Sequence, residues 1–191
     1  MTEHLRRAGR GLDATGAELI WVVSAGRRGR RWREVRVLDG SVASSMLLET
    51  DPDGRFSHLE LATAVGLLTL HPEPDGSLHG NAVTDRGVNH VVALPFDPDG
   101  AVIVEGSTFA LAAALGGPAS RGRGGDPVGP LDAGSSLVGP LLVVALDLSI
   151  GRGRLADLPA ITLDAEGLPM LAAAESWPLE RDACDSGPVR G

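Results

Sequence analysis

Aspartate and glycine recur together at hairpin-sized intervals, and that spacing constrains the fold of this chain more than any other feature. Asp39-Gly40, Asp53-Gly54, Asp75-Gly76, Asp85-Arg86-Gly87 and Asp99-Gly100 each set turn formers between apolar or alternating runs. They divide the first half of the chain into strands expected near 19–25, 31–38, 41–50, 55–62, 65–72, 77–84, 88–95 and 101–105. No amphipathic helix of about 10–15 residues separates successive strands, which excludes a Rossmann fold or an α/β barrel. The expected class is mainly β, α+β at most: an antiparallel meander curled into a β-roll or sandwich.

Period-2 alternation assigns faces. In 55–62, Ser57, Leu59 and Leu61 are expected on one face and Phe56, His58 and Glu60 on the other. In 88–94, Val88, His90, Val92 and Leu94 oppose Asn89, Val91 and Ala93, which reads as a strand buried on both sides. After Gly106, Ser107 or Thr108 can cap one short helix near 107–115, and Gly116-Gly117-Pro118 would stop it. Residues 116–136 hold seven Gly, three Pro and three Ser, a composition expected of a mobile loop. Leu141 to Leu146 reads as a core strand. A last hairpin is expected from Ile161-Thr162-Leu163-Asp164 through Ala165-Glu166-Gly167 to the run Met170 to Ala174, which could equally be a helical turn. The organisation is therefore a flexible segment 1–17, one β-rich domain 18–180 and a flexible tail 181–191.

With 43% apolar residues, 22% charged and a mean hydropathy of +0.08, the 191-residue chain can build a single core. Every one of its 17 basic residues is Arg, a bias that lowers the information in any one Arg cluster. Charge is asymmetric: residues 1–36 hold nine Arg against four acids, net +5, and residues 37–191 hold eight against 21, net −13. Such an acidic body argues against nucleic acid as a partner. The lone Cys184 rules out an intramolecular disulfide and a Cys-based zinc site. No signal sequence or membrane span is evident; the cytoplasm is the expected compartment.

Several chemistries are missing. There is no Gly-x-Ser-x-Gly, and without Lys there is no phosphate-cradling Gly-x-x-x-x-Gly-Lys. Aromatic sugar platforms are scarce, because Tyr is absent and only three Trp and three Phe occur. Two clusters remain. Arg27, Arg28, Arg30, Arg31 and Arg33 beside Trp32 form either a solvated hairpin with edge-protecting charges or a grip for a phosphate or lipid headgroup. His71 and His79 would flank one turn, with His90 and Asn81 close in sequence. These imidazoles either face water and turn carbonyls or form a metal site.

An ordered series of segments resembles the bacterial glycolipid-binding family, single domains of similar length with a spiral β-roll. It runs through Glu49-Thr50-Asp51, Arg55 to Leu61, Leu68-Thr69-Leu70, the Asp75-Gly76 turn, Leu78-His79-Gly80-Asn81, Gly87 to Val91 and Ala93 to Phe96, and ends at Ile161 to Pro169. The family's Thr-Asn-x-Leu-Pro stretch is replaced here by Pro95-Phe96-Asp97-Pro98-Asp99. The resemblance implies a curved sheet around a central groove that holds acyl chains. Runs apolar on both faces, such as 65–70 and 88–94, fit such a groove and fit ordinary sandwich packing equally. The leading expectation is non-enzymatic binding of an amphipathic small molecule, a glycolipid among them. The apolar groove takes the tail, and Trp32, Arg33, Arg36, His79, Asn81 and His90 contact the headgroup. No catalytic residue, metal ligand or cofactor is assigned. The alternatives are a protein-interaction or homodimerisation module through a sheet edge or the 137–146 strand, and, third, a metal-dependent enzyme using the His cluster.

Overall fold

A computed structural model of the chain describes residues 5–13, 15–117, 129–131, 140–153 and 161–177. Eight consecutive strands form an antiparallel meander, of which β2 to β8 are those expected from the turn signals and β1 is not, while the strand expected near 101–105 leaves for a second sheet: β1 (Arg6–Leu12), β2 (Glu18–Gly26), β3 (Gly29–Leu38), β4 (Ser41–Thr50), β5 (Phe56–Thr63), β6 (Gly66–Pro72), β7 (Ser77–Thr84) and β8 (Gly87–Pro95). The closing strand β14 (Ala172–Trp177) returns beside β1, so the nine-stranded sheet is ordered β14-β1-β2-β3-β4-β5-β6-β7-β8. Between its ends lie β9 (Ala101–Val104), the helix α1 (Thr108–Leu115), β10 (Gly129–Leu131), β11 (Leu141–Val144), β12 (Ile150–Arg152) and β13 (Ile161–Leu163). β12, β11 and β9 make a small sheet in which β9 and β11 run parallel, and β10 pairs with β13.

One face of the large sheet supplies the core. Leu19, Trp21 and Val23 of β2, Trp32 of β3, Met46 and Leu48 of β4, Leu59 and Leu61 of β5, Leu68 and Leu70 of β6 and Leu78 of β7 are all buried. Against this face sits α1, whose residues Phe109 to Leu115 are buried without exception. The helix carries no polar stripe, so it can be stable only where apolar groups surround it on every side. Ser107 caps it, its Oγ accepting the Ala110 N–H at 3.0 Å. Phe109 stacks at 5.2 Å from Trp21 and 6.4 Å from Trp32.

Several expectations are corrected. Residues 6–12 of the segment expected to be flexible form β1, held between β2 and β14; Gly9 allows this because a Cβ there would collide with the Glu175 carbonyl and lie 2.8 Å from the Trp21 ring. In β5 the register slips between Phe56 and His58, and this bulge turns Phe56 inward to share the buried face with Leu59 and Leu61. β8 is not buried on both sides: among the described residues it ends the sheet without a further neighbour, and Val88 and Val92 are 54% and 66% exposed. Residues 129–131 of the expected loop form a strand, because β13 offers them a partner; 118–128 and 132–136 fall outside the described residues. The strand expected over 141–146 stops at Val144, where the Asp147 carboxylate organises a turn by accepting the Ser149 N–H. The two halves of the expected final hairpin join different partners, β13 with β10 and β14 with β1, and only a bridge from Leu163 to Pro169 links them. The tail 181–191 lies outside the described residues.

Candidate functional site

Among the described residues the space between α1 and the large sheet is filled. Where α1 meets β4, β5 and β9, the space lined by Leu48, Phe56, Val102 and Ala113 amounts to about 10 Å³, room for a single water. The central groove expected from the resemblance is therefore occupied by the protein's own helix, and an acyl chain would have to displace it.

The side chains expected on one rim are dispersed. Trp32 is only 2% exposed and packs on Phe109, because it shares the inward parity of β3 with Glu34. Arg33 projects from the opposite, outer face. Arg36 is tied down: its Nη2 lies 3.0 Å from Asp13 Oδ2 and donates to Thr15 Oγ1 at 2.8 Å. His79, Asn81 and His90 stand on β7 and β8, four strand steps or more from β3, roughly 19 Å along the sheet. Asn81 and His90 do meet, Oδ1 to Nδ1 at 2.7 Å. His79 Nε2 accepts the Ala93 N–H at 3.3 Å where the β7–β8 register breaks, a role that completes the backbone at a bulge. His71 and His79 are cross-strand partners, but His71 faces Glu73 at 3.1 Å and His58 faces Glu60 at 3.2 Å. Among the described residues, no three His, Cys, Asp or Glu gather as a metal site.

Three features outside the expected headgroup set stand out. The first is Glu34, 3% exposed beneath α1, whose Oε2 accepts the Ser107 hydroxyl at 2.9 Å. Burial pushes its pKa up to about 7, against the hydrogen bonds from Ser107 and the Phe109 N–H and the charge of Arg36. Burial also acts on nearby Asp13, yet bonds from the Thr15 hydroxyl, the Thr15 and Ala17 N–H groups and the charge of Arg36 hold its pKa below the usual range.

The second is a bowl of about 610 Å³ where the β7 and β8 ends meet the small sheet. Phe96, Leu141 and Leu142 form its floor, and Asp97 and Arg152 stand on its rim. Gly153 keeps that rim low, since a Cβ there would strike the side chains of Val143 and Leu141. Arg152 has no partner among the described residues, whereas Asp97 accepts the Asp99 N–H at 2.9 Å.

The third is a depression of about 600 Å³ at the β2–β3 end, walled by Arg6, Arg27, Arg28, Arg30 and Arg31. The Arg run was legible in the sequence; the arrival of Arg6 was not, because residues 1–17 gave no strand signal.

No protein-family model, curated protein or solved structure matches this chain. No helix among the described residues is long and apolar enough to cross a membrane.

Proposed function

We propose that the protein binds, without catalysis, an amphipathic small molecule in the bowl formed by Phe96, Leu141, Leu142, Asp97 and Arg152. The observation that carries this reading is the pairing of an apolar floor with one carboxylate and one guanidinium that has no partner among the described residues, on the same rim. A volume of about 610 Å³ falls within the range of small-molecule sites. Alkyl carbons covering Phe96 and the two leucines gain about 0.8 kcal/mol per buried methylene. A head bearing hydroxyl groups satisfies the rim, donating to Asp97 and accepting from Arg152, as the sugar of a glycolipid would. The test is titration calorimetry with octyl glucoside below its micelle concentration, with octanol as the headless control. Octyl glucoside binds more tightly than octanol, and Arg152→Ala erases the difference. Equal binding of the two, or an unaffected variant, refutes the reading.

A second reading is favoured by the uncovered edge of β8. Its exposed Val88 and Val92, and the lack of a further neighbour among the described residues, suit antiparallel pairing with a second copy. Sedimentation equilibrium then shows a dimer that Val88→Lys dissociates; a monomer at all concentrations removes this reading.

A further inference from the structure

Arg6, Ser24 and Arg31 are cross-strand neighbours on β1, β2 and β3. Trp21, Val23 and Trp32 point into the core, so alternation puts Ser24 and Arg31 on the outer face. The short serine between two long arginines leaves a gap, and the hairpin tip Arg27–Arg28 overhangs its end. Gly29 makes that tip possible: its φ is +108°, and a Cβ would collide with the Thr50 carbonyl. Arg30 is fixed from behind, its guanidinium 5.1 Å from the Trp32 ring and Nη1 donating to the Glu166 carbonyl at 3.2 Å.

The cationic charge left for a ligand sits at the hairpin tip, because Arg30 already lies in the field of the Glu166 and Asp164 carboxylates. Five arginines and one carboxylate, Glu49, line the depression, and Glu49 is already engaged by Arg31. Arg27 and Arg28 have no partner among the described residues. A guanidinium presents its N–H donors as a planar fork that matches phosphate oxygens two at a time, and the adjacent forks of Arg27 and Arg28 at one concavity suit a multiply charged oxyanion better than a carboxylate. The size of the anion is limited by the rest of the molecule. Residues 37–191 carry a net charge of −13, and with a screening length of about 8 Å in physiological salt the cationic field stays local. A long polyanion would run onto acidic surface; a compact one would not.

We propose that the depression at the β2–β3 end is a binding site for a compact phosphoryl-bearing anion, either free or as a lipid headgroup, separate from the bowl at Arg152. The test measures radiolabelled pyrophosphate by equilibrium dialysis, and flotation with vesicles of phosphatidylglycerol and phosphatidylcholine at 3:7, on the full chain. Binding in either arm that weakens at least tenfold in Arg27→Ser/Arg28→Ser, and stays unchanged in Arg33→Ser on the neighbouring outer face, supports the site. Pyrophosphate alone identifies a free phosphoryl ligand; vesicles alone identify a headgroup. The proposal is overturned by no binding in either arm, by a double variant that binds like the parent, or by a single-stranded RNA 12-mer that binds while pyrophosphate fails to compete with it. Arg152→Ala leaves these results unchanged, so failure here and failure at the bowl are distinguishable.

Discussion

At the scale of single residues, the buried carboxylate of Glu34 is the group with the clearest physical consequence. Its pKa is about 7 in the folded chain against an ordinary value of 4.5, so the folded state binds the extra proton between those limits. The associated stability is fully present below about pH 4.5, falls as pH rises and is lost above pH 7. Between pH 5.5 and 8.5 the loss is about 2 kcal/mol. Urea unfolding of the parent and of Glu34→Gln across that range checks this: the stability difference between them shifts in favour of the variant as pH rises, and a constant difference contradicts the assignment. Sequence alone could not single out Glu34, because it reads as an ordinary charge in an Arg-rich strand. Trp32 illustrates the converse. Its neighbours suggest a rim, but parity on β3 places it under Phe109, and which face of a strand meets the core depends on residues far away in the chain.

At the scale of elements, the hairpins were legible because turn chemistry is local. Asp39-Gly40 takes positive φ at both residues, as its sequence suggests. At Asp53-Gly54 the working aspartate is a different one. Asp51, not Asp53, accepts the N–H groups of Asp53 at 2.9 Å and Arg55 at 2.8 Å, while its carbonyl accepts the Gly54 N–H at 3.0 Å. Asp13 and Asp164 repeat this arrangement with Gly16 and Gly167. Asp51→Ala therefore costs about 1–3 kcal/mol, and Asp53→Ala, whose carboxylate meets only exposed Arg55, stays within about 0.5 kcal/mol. Equal losses in thermal unfolding would disprove this division of roles. The exposure of β8 was hidden for a different reason: Val88, Val91 and Val92 look like a core strand, and only the end of the pairing order leaves them at an edge.

Across the whole molecule, the chain closes on itself through β14. Ala8, Gly9 and Arg10 of β1 pair with Trp177, Ser176 and Glu175, and Arg10 Nε donates to Glu175 at 2.9 Å. A chain ending at residue 177 is expected to outlast one ending at 171 by at least about 2 kcal/mol, about 4–8 °C in Tm. Equal melting would mean that β1 needs no outer neighbour. The candidate sites follow the same logic. Of the six side chains expected to share a headgroup, the structure brings together only Asn81 and His90, while the bowl and the Arg-walled depression each combine segments distant in sequence. Turn positions, the short capped helix and the charge asymmetry were set by the sequence itself, because each depends on neighbours within a few residues. Which face of each strand is buried, that α1 fills the centre, and that Arg6 joins the β2–β3 tip were decided by the tertiary structure alone, because each depends on which distant segments exclude water from one another.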